Sequence, residues 1–265
     1  MIKKCNMNTK KILFYWQKRI LNRAVDILMS LLAIVILSPL FLLIIFILRF
    51  TAEGEVFYFQ ERIGQNNSKF QIWKFATMMK NSMNIGSGSI TLKNDFRVTK
   101  FGKILRITKI NELPQLVNLL KGDLTIVGPR AMVDETFSAY SEEIQSTINN
   151  VKPGITGIGS IVFRDEESLI SAVTNEAPLD FYKRVIAPHK GKLEIWYQKN
   201  KTVSTNIKIV LLTIWVILSP TSTLYQRWFE DLPVFNPIYL PEPSAKAKIV
   251  EKEETKEKVQ EVVHY

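Results

Sequence analysis

The sequence predicts an α-rich α/β protein: a small globular domain fastened to a membrane by one N-terminal apolar helix and flanked by amphipathic helices. Three observations predict it. Residues 27–48 carry no charge and follow a basic stretch, and about 20 apolar residues suffice to cross a bilayer. Residues 56–80 hold two β-like runs around Gly64-Gln65-Asn66-Asn67, the pattern of a hairpin. Lys109 to Arg130 reads as a capped amphipathic helix, a short apolar strand and a turn that presents an arginine.

Composition narrows the function classes. The 265 residues carry a net charge of +10, which points to an anionic partner such as nucleic acid, anionic lipid or a phosphorylated substrate. A single cysteine, Cys5, excludes an internal disulfide framework and a cysteine-rich zinc site. With only His189 and His264 besides, any metal would be a hard cation held by carboxylates.

Taken in order, residues 1–26 hold Lys3, Lys4, Lys10, Lys11, Lys18, Arg19 and Arg23 against Asp26. This flank places the N-terminus in the cytoplasm. The apolar run of 27–48 is too long for a cleaved signal peptide and no small-residue cleavage site follows it. Ser38-Pro39 interrupts it, and Pro39 removes a backbone hydrogen bond. Basic residues on both sides favour a re-entrant helix, which enters and leaves by one face, over a kinked spanning helix. Arg23 and Asp26 are three apart and are expected to pair across one turn.

After the predicted hairpin, the polar loop 81–94 lacks the lysine spacing of a phosphate-binding loop. Nine basic residues between Lys69 and Lys109 face one acid, Asp95, with Phe96, Phe101, Ile104 and Leu105 interleaved. A basic amphipathic helix from Thr99 to Ile107 is expected to lie on anionic lipid; the adjacent membrane segment argues against nucleic acid. In the next stretch Asn111 is the expected N-cap, Glu112 opens the helix, and Leu113, Leu116, Val117 and Leu120 form its apolar face. Pro114 falls in the first turn and Gly122 stops the helix. Leu124 to Val127 is a strand, and Gly128-Pro129 turns the chain to Arg130. A helix start and an arginine are both anion binders, although capping accounts for Asn111 and Glu112 without any chemistry.

Further on, Val133 to Asn150 reads as one helix. Pro153-Gly154 demands a turn with positive φ at the glycine, and Lys152 beside it is either a phosphate contact or a plain turn lysine. Arg164-Asp165-Glu166-Glu167 is read as a solvated helix start, and Asp180 to Asn200 as helical. Residues 207–218 are apolar but too short to span, which suits an interfacial helix. The chain thus divides into a basic segment 1–26, a membrane helix 27–48, a domain 49–220, an extended arm 221–240 and a charged tail 241–265 that is solvated, helical or disordered.

The run from Lys109 resembles the core motif of the bacterial sugar transferases, which move a sugar phosphate onto a polyisoprenyl phosphate. The family reads Asp-Glu-Leu-Pro-Gln-Leu, then Lys-Gly-Asp, then Val-Gly-Pro-Arg-Pro. This chain has Asn111-Glu112-Leu113-Pro114-Gln115-Leu116, Lys121-Gly122-Asp123 and Val127-Gly128-Pro129-Arg130-Ala131. Matches continue at Gln60, Glu61, Arg62, Gly64, Lys74, Phe75, Thr77 and Met78, at Lys152-Pro153-Gly154-Ile155-Thr156-Gly157, and at Ser38-Pro39. Ile63 replaces a family proline and Ala76 a basic residue. The resemblance covers roughly residues 20–220.

What the resemblance implies is a monotopic enzyme of the bacterial inner membrane, with a re-entrant helix and its catalytic domain on the cytoplasmic face. The reaction it implies passes a sugar-1-phosphate from a UDP-sugar to undecaprenyl phosphate and releases UMP, the first membrane step of exopolysaccharide, capsule or O-antigen type glycan assembly. The implied partners are these two substrates and anionic lipid, with a homodimer left open and no nucleic acid. Mg²⁺ is the implied cofactor. Arg106, Arg130, Lys74 and Lys152 are then the phosphate-binding candidates, and Glu112 the metal ligand and catalytic carboxylate. Asn111 departs from the family, where aspartate at this place is the nucleophile. Three readings compete: Glu112 takes the covalent role, transfer goes directly to the lipid phosphate, or the chain is a catalytically silent scaffold of a polysaccharide assembly complex.

Overall fold

The computed structural model describes residues 9–51 and 53–235. The basic residues at 1–8 and the tail 241–265 lie outside the described residues. Helix α1 runs without interruption from Thr9–Phe50 and contains Pro39, so the helix extends well beyond the apolar run. Its stretch Ile20–Phe50 is long and apolar enough to cross a membrane by length and composition. Leu28, Val35, Ile36 and Leu42 on it are exposed.

Both ends of this stretch touch the same globular domain. Towards the C-terminal end, Ile44 and Leu48 are buried with Phe75 and Leu105, and Phe41 lies 5.5 Å from the Phe75 ring. Burial of two such aliphatic side chains contributes roughly 1.5–3 kcal/mol each. At the N-terminal end, Arg23 donates to the carbonyls of Leu119 and Leu120, both at 2.6 Å. Asp26 accepts from Thr125 Oγ1 at 3.0 Å and from the Ile126 amide at 3.3 Å. The expected Arg23–Asp26 pair is therefore replaced by two longer-range attachments. The guanidinium binds carbonyls of the last turn of a helix, where a cation is favoured; Leu119 also accepts from the Gly122 amide at 3.1 Å.

The hairpin forms as expected, β1 Phe57–Ile63 against β2 Lys69–Phe75 in antiparallel register. Alternation puts Tyr58, Gln60 and Arg62 of β1 across from Lys74, Ile72 and Phe70 of β2 on one face. Helix α2, Lys100–Ile107, is capped by Thr99 Oγ1, which accepts from the Gly102 amide at 3.0 Å. Ile104 and Ile107 are exposed on it. Arg97, one of the nine basic residues between Lys69 and Lys109, is 1% exposed and organises the 81–94 loop. Helix α3 spans Gln115–Lys121 and ends at Gly122, whose φ of 92° suits glycine. Its buried side is Gln115, Asn118 and Leu119, and the leucines expected to form the core face are only partly buried, since α3 packs against α1.

Strand β3, Thr125–Val127, pairs in parallel with β4, Gly154–Thr156. Gly154 is not at positive φ. It is required because a Cβ there would stand 2.1 Å from the Gly128 nitrogen. The single helix expected over 133–150 is broken into α4, Asp134–Phe137, and α5, Glu142–Asn149. The break lets Phe137 and Tyr140 both turn into the core, and the Tyr140 carbonyl accepts from Gln145 Nε2 at 2.7 Å.

The chain continues through α6 Ile158–Val162, α7 Glu166–Ser171 and α8 Pro178–Phe181. A π-helical turn Tyr182–Ile186 then leads into α9 Ala187–Asn200 and α10 Val203–Leu218. The main core joins Ile158, Phe181 and Ile186 to Leu193 of α9 and Ile209 and Leu212 of α10, all fully buried. The other side of α10 is apolar and exposed: Leu211, Ile214, Trp215 and Leu218 form, with Leu224 and Trp228, a groove of about 300 Å³. The stretch expected to be an extended arm holds a short helix, α11 Leu224–Trp228, and its Phe229 and Leu232 join the core.

Candidate active site

Asn111 does not cap a helix. Lys109, at φ 60°, reverses the chain into a 3₁₀ turn, Ile110–Glu112, and α3 begins only at Gln115 behind Pro114. The proline lacks an N–H and can occupy that place without loss, so no side-chain cap is needed. Asn111 is 6% exposed and its Oδ1 makes no hydrogen bond. Glu112, at the end of the turn, sits on the site rather than on the helix.

Two distant chain segments converge on Glu112. Lys74 Nζ, from β2, donates to Glu112 Oε1 at 3.1 Å, and Arg130 donates to the same oxygen at 3.0 Å. Arg130 reaches it because β3 ends in Gly128-Pro129, where Gly154 donates to the Pro129 carbonyl at 2.8 Å. The Lys74 and Glu112 side chains are 15% and 17% exposed, and Arg130 is 45% exposed. Arg130 is thus the member that solvent or a ligand reaches.

Electrostatics make this carboxylate a fixed anion among cations. Burial pushes Glu112 up, but the charges of Lys74, Arg130 and Lys109 outweigh it and hold the carboxyl well below its usual range. Burial lowers Lys74 to about 8, against the pull of Glu112 and with the push of Arg130 and Arg62. Burial likewise lowers Arg62 to about 10, helped by Arg130. Four cations, Lys74, Arg130 and Lys109 together with Arg62, which Glu112 holds up against burial, therefore interact with one carboxylate. Such a surplus of positive charge is a site for an anion, and phosphate is the anion that such forked and point-charge donors fit best.

Arg62 was matched to a motif in the sequence but given no role. Its NH1 donates to the Ala131 carbonyl at 3.2 Å and its NH2 to Gln60, while Nε is buried and makes no hydrogen bond. The signal was present in strand alternation, because Arg62 shares a face with Lys74. The other two expected phosphate-binding residues have acidic neighbours of their own. Arg106 is paired with Glu167 of α7 and not with Glu112. Lys152 lies within electrostatic reach of Asp26, on the α1 side of β3. The acids read as a solvated helix start are likewise engaged, since Lys190 pairs with Glu166. Behind them Glu194, 4% exposed, is pushed up to about 7 by burial, against the pull of Lys190.

A resident divalent cation has little to hold it. Among the described residues no group of three or more His, Cys, Asp or Glu side chains comes together. The donor set at the centre is one carboxylate, already shared by two cations. That suits only a hydrated ion bound jointly with substrate phosphates, the habit of Mg²⁺.

Comparison with known proteins agrees with the motifs. A family model described as bacterial sugar transferase matches residues 17–220. Over 166 residues, 57% of this chain and 73% of the relative, the chain is 34% identical to exopolysaccharide production protein ExoY of Sinorhizobium fredii. It is 33% identical to the uncharacterized sugar transferase EpsL of Bacillus subtilis over 75% of this chain and 88% of the relative. Identity to undecaprenyl-phosphate galactose phosphotransferase of Salmonella typhimurium is 30% over 76% of this chain, which spans only 41% of that longer protein.

Proposed function

Because the chain belongs to the bacterial sugar transferase family, we propose that this transferase moves a sugar-1-phosphate from a UDP-sugar to undecaprenyl phosphate. UMP is released, and the product serves exopolysaccharide, capsule or O-antigen type glycan assembly. The observation that carries this reading is the convergence of Lys74 and Arg130 on Glu112 Oε1, with Arg62 and Lys109 beside them. Phosphoryl transfer asks the protein mainly for positioning and for positive charge at the phosphate oxygens. An oxygen of the acceptor phosphate attacks the β-phosphorus of the donor. The bond from that phosphorus to the bridging oxygen breaks, and UMP leaves with the bridging oxygen.

Glu112 is the carboxylate on which this machinery is hung. With Oε1 shared by two cations it is suited to organising charge, which favours direct transfer over a covalent step. Mg²⁺, entering with the donor diphosphate, would take Glu112 as its protein ligand and neutralise phosphate charge there. The attachment of both ends of the Ile20–Phe50 stretch to one domain supports a re-entrant helix with the domain on the cytoplasmic face. The exposed apolar residues of α2 and α10 support a seat on the lipid surface.

A second reading, a catalytically silent scaffold, rests on Asn111, since an amide is a poor nucleophile. UMP release from a panel of UDP-sugars with undecaprenyl phosphate separates the two. We expect release with at least one donor, and its abolition by Glu112→Gln in a folded protein. No release with any donor would favour the scaffold. Equal release by wild type and Glu112→Gln would remove Glu112 from the chemistry. UMP release from donor alone, without acceptor, would restore the covalent route.

A further inference from the structure

We propose that the first turn of α7 is an internal stand-in for the donor diphosphate: Glu166 and Glu167 hold cations of the site in the ligand-free protein and are exchanged for phosphate oxygens when a nucleoside diphosphate sugar binds. The inference rests on the donor-binding reading above. Arg106 donates to Glu167, and Lys190 donates to Glu166. The influence of these acids extends to the centre. Glu166 acts electrostatically on Arg130, and Glu167 on Lys109. Two adjacent carboxylates thus address four cations, two by hydrogen bonds and two through space, much as two linked phosphates would.

The local structure suits exchange. The side chains of Arg106 and Glu167 are 23% and 46% exposed, and those of Lys190 and Glu166 11% and 26%. The Arg106–Glu167 pair, with this much solvent access, holds weakly, whereas Lys190 is buried and its pair with Glu166 is the firmer of the two; a phosphate replaces a carboxylate with charge-assisted hydrogen bonds of the same kind. The far end of α7 is fastened, with Ile170 2% exposed and Ser171 Oγ accepting from the Lys93 amide at 2.7 Å. The near end leaves a non-helical Asp165 at φ −102°, ψ 37°. The acids therefore sit at the N-terminal end of α7, beside Asp165. Carboxylates in a first helical turn are also favoured by the helix itself, so their release does not undo α7.

The test is UDP binding to the full chain in detergent, by calorimetry, with wild type, Glu167→Gln and the Glu166→Gln/Glu167→Gln double variant. Removing the competing charges should tighten UDP binding about three- to tenfold. The KM for the UDP-sugar should fall with kcat kept, and Glu167→Asp should return wild-type affinity. A purely structural role would lower the melting temperature and leave the KM where it was. If the double variant fails to fold because Lys190 is left unpaired, Glu167→Gln alone decides, with about a threefold gain expected. Equal or weaker UDP binding by the folded variants overturns the exchange and leaves the donor reading standing. Absence of UDP binding in wild type and variants alike overturns both.

Discussion

Two arginine–carboxylate pairs in this molecule are built to opposite specifications. Arg97 and Asp95 have side chains 1% and 3% exposed. Arg97 gives Nε and NH2 to Asp95, and its remaining hydrogens to Ser87 Oγ and to the carbonyls of Ser82, Ile85, Gly88 and Ile90. Asp95, held below its usual range by Arg97, also accepts from the amides of Leu92 and Arg97. Every polar atom there is answered from within, which turns a polar loop into a fixed wall. At Arg130 and Glu112 the supply is uneven: four cations share one carboxylate, Arg62 Nε and Asn111 Oδ1 have no partner, and Arg130 is 45% exposed. A satisfied network is architecture, and an undersupplied one with access to solvent is where a ligand completes the count.

The sharpest way to break this comparison is Arg97→Ala. It strands Asp95 and several carbonyls in the interior and should cost about 3–5 kcal/mol in a denaturant melt. A loss below about 1 kcal/mol would show that the loop does not depend on the pair. Arg130→Ala should do the reverse, cutting turnover about 10²-fold while stability moves by less than about 1 kcal/mol. Turnover equal to wild type at matched folding would take Arg130 out of the site.

The next effect is one of pH. Lys74 is charged below its value of about 8 and loses its proton above it. Only the charged form draws phosphate, so kcat/KM should fall about tenfold per pH unit on the alkaline side, while bound phosphate moves the limb for kcat upward. Lys74→Arg, which keeps its charge, should push that limb out of range; an unchanged alkaline limb in this variant would assign it to another group. The smallest effect is expected from Asn111→Asp. It places a carboxylate beside Glu112 among surplus cations and should raise turnover a few-fold, with UMP appearing from donor alone. A drop in turnover would show that the amide is adapted to its place.

What was legible in the sequence was local. The hairpin turn, the start of α2 at about Thr99, the Gly122 stop and the short strand before Gly128-Pro129 are set by neighbouring residues. The meeting of Glu112, Arg130 and Lys74 could be anticipated because each sits in a motif. What was not legible depends on partners far along the chain. Arg23 and Asp26 look like a pair on a helix wheel, but their partners lie about a hundred residues away. Arg97 reads as one more surface cation until the loop closes on it. Gly154 looks like a turn glycine, and only the approach of Gly128 reveals another reason for it. Arg106 and Glu167 became partners through packing of α7, which no periodicity announces.

The double attachment of α1 has a practical consequence for handling the molecule. A chain shortened to begin after Phe50 would bare Phe75 and Leu105 and leave the Leu119 and Leu120 carbonyls without their guanidinium. Such a water-compatible fragment would carry its own sticky surface and a loosened β3, the strand that delivers Arg130. Extraction from the bilayer faces the same constraint from outside. A detergent belt has to cover Leu28, Val35, Ile36 and Leu42 without prising Ile44 and Leu48 from the domain. Choice of amphiphile should therefore alter turnover as well as yield, with harsh short-chain detergents silencing a protein that still runs as a single species on a sizing column.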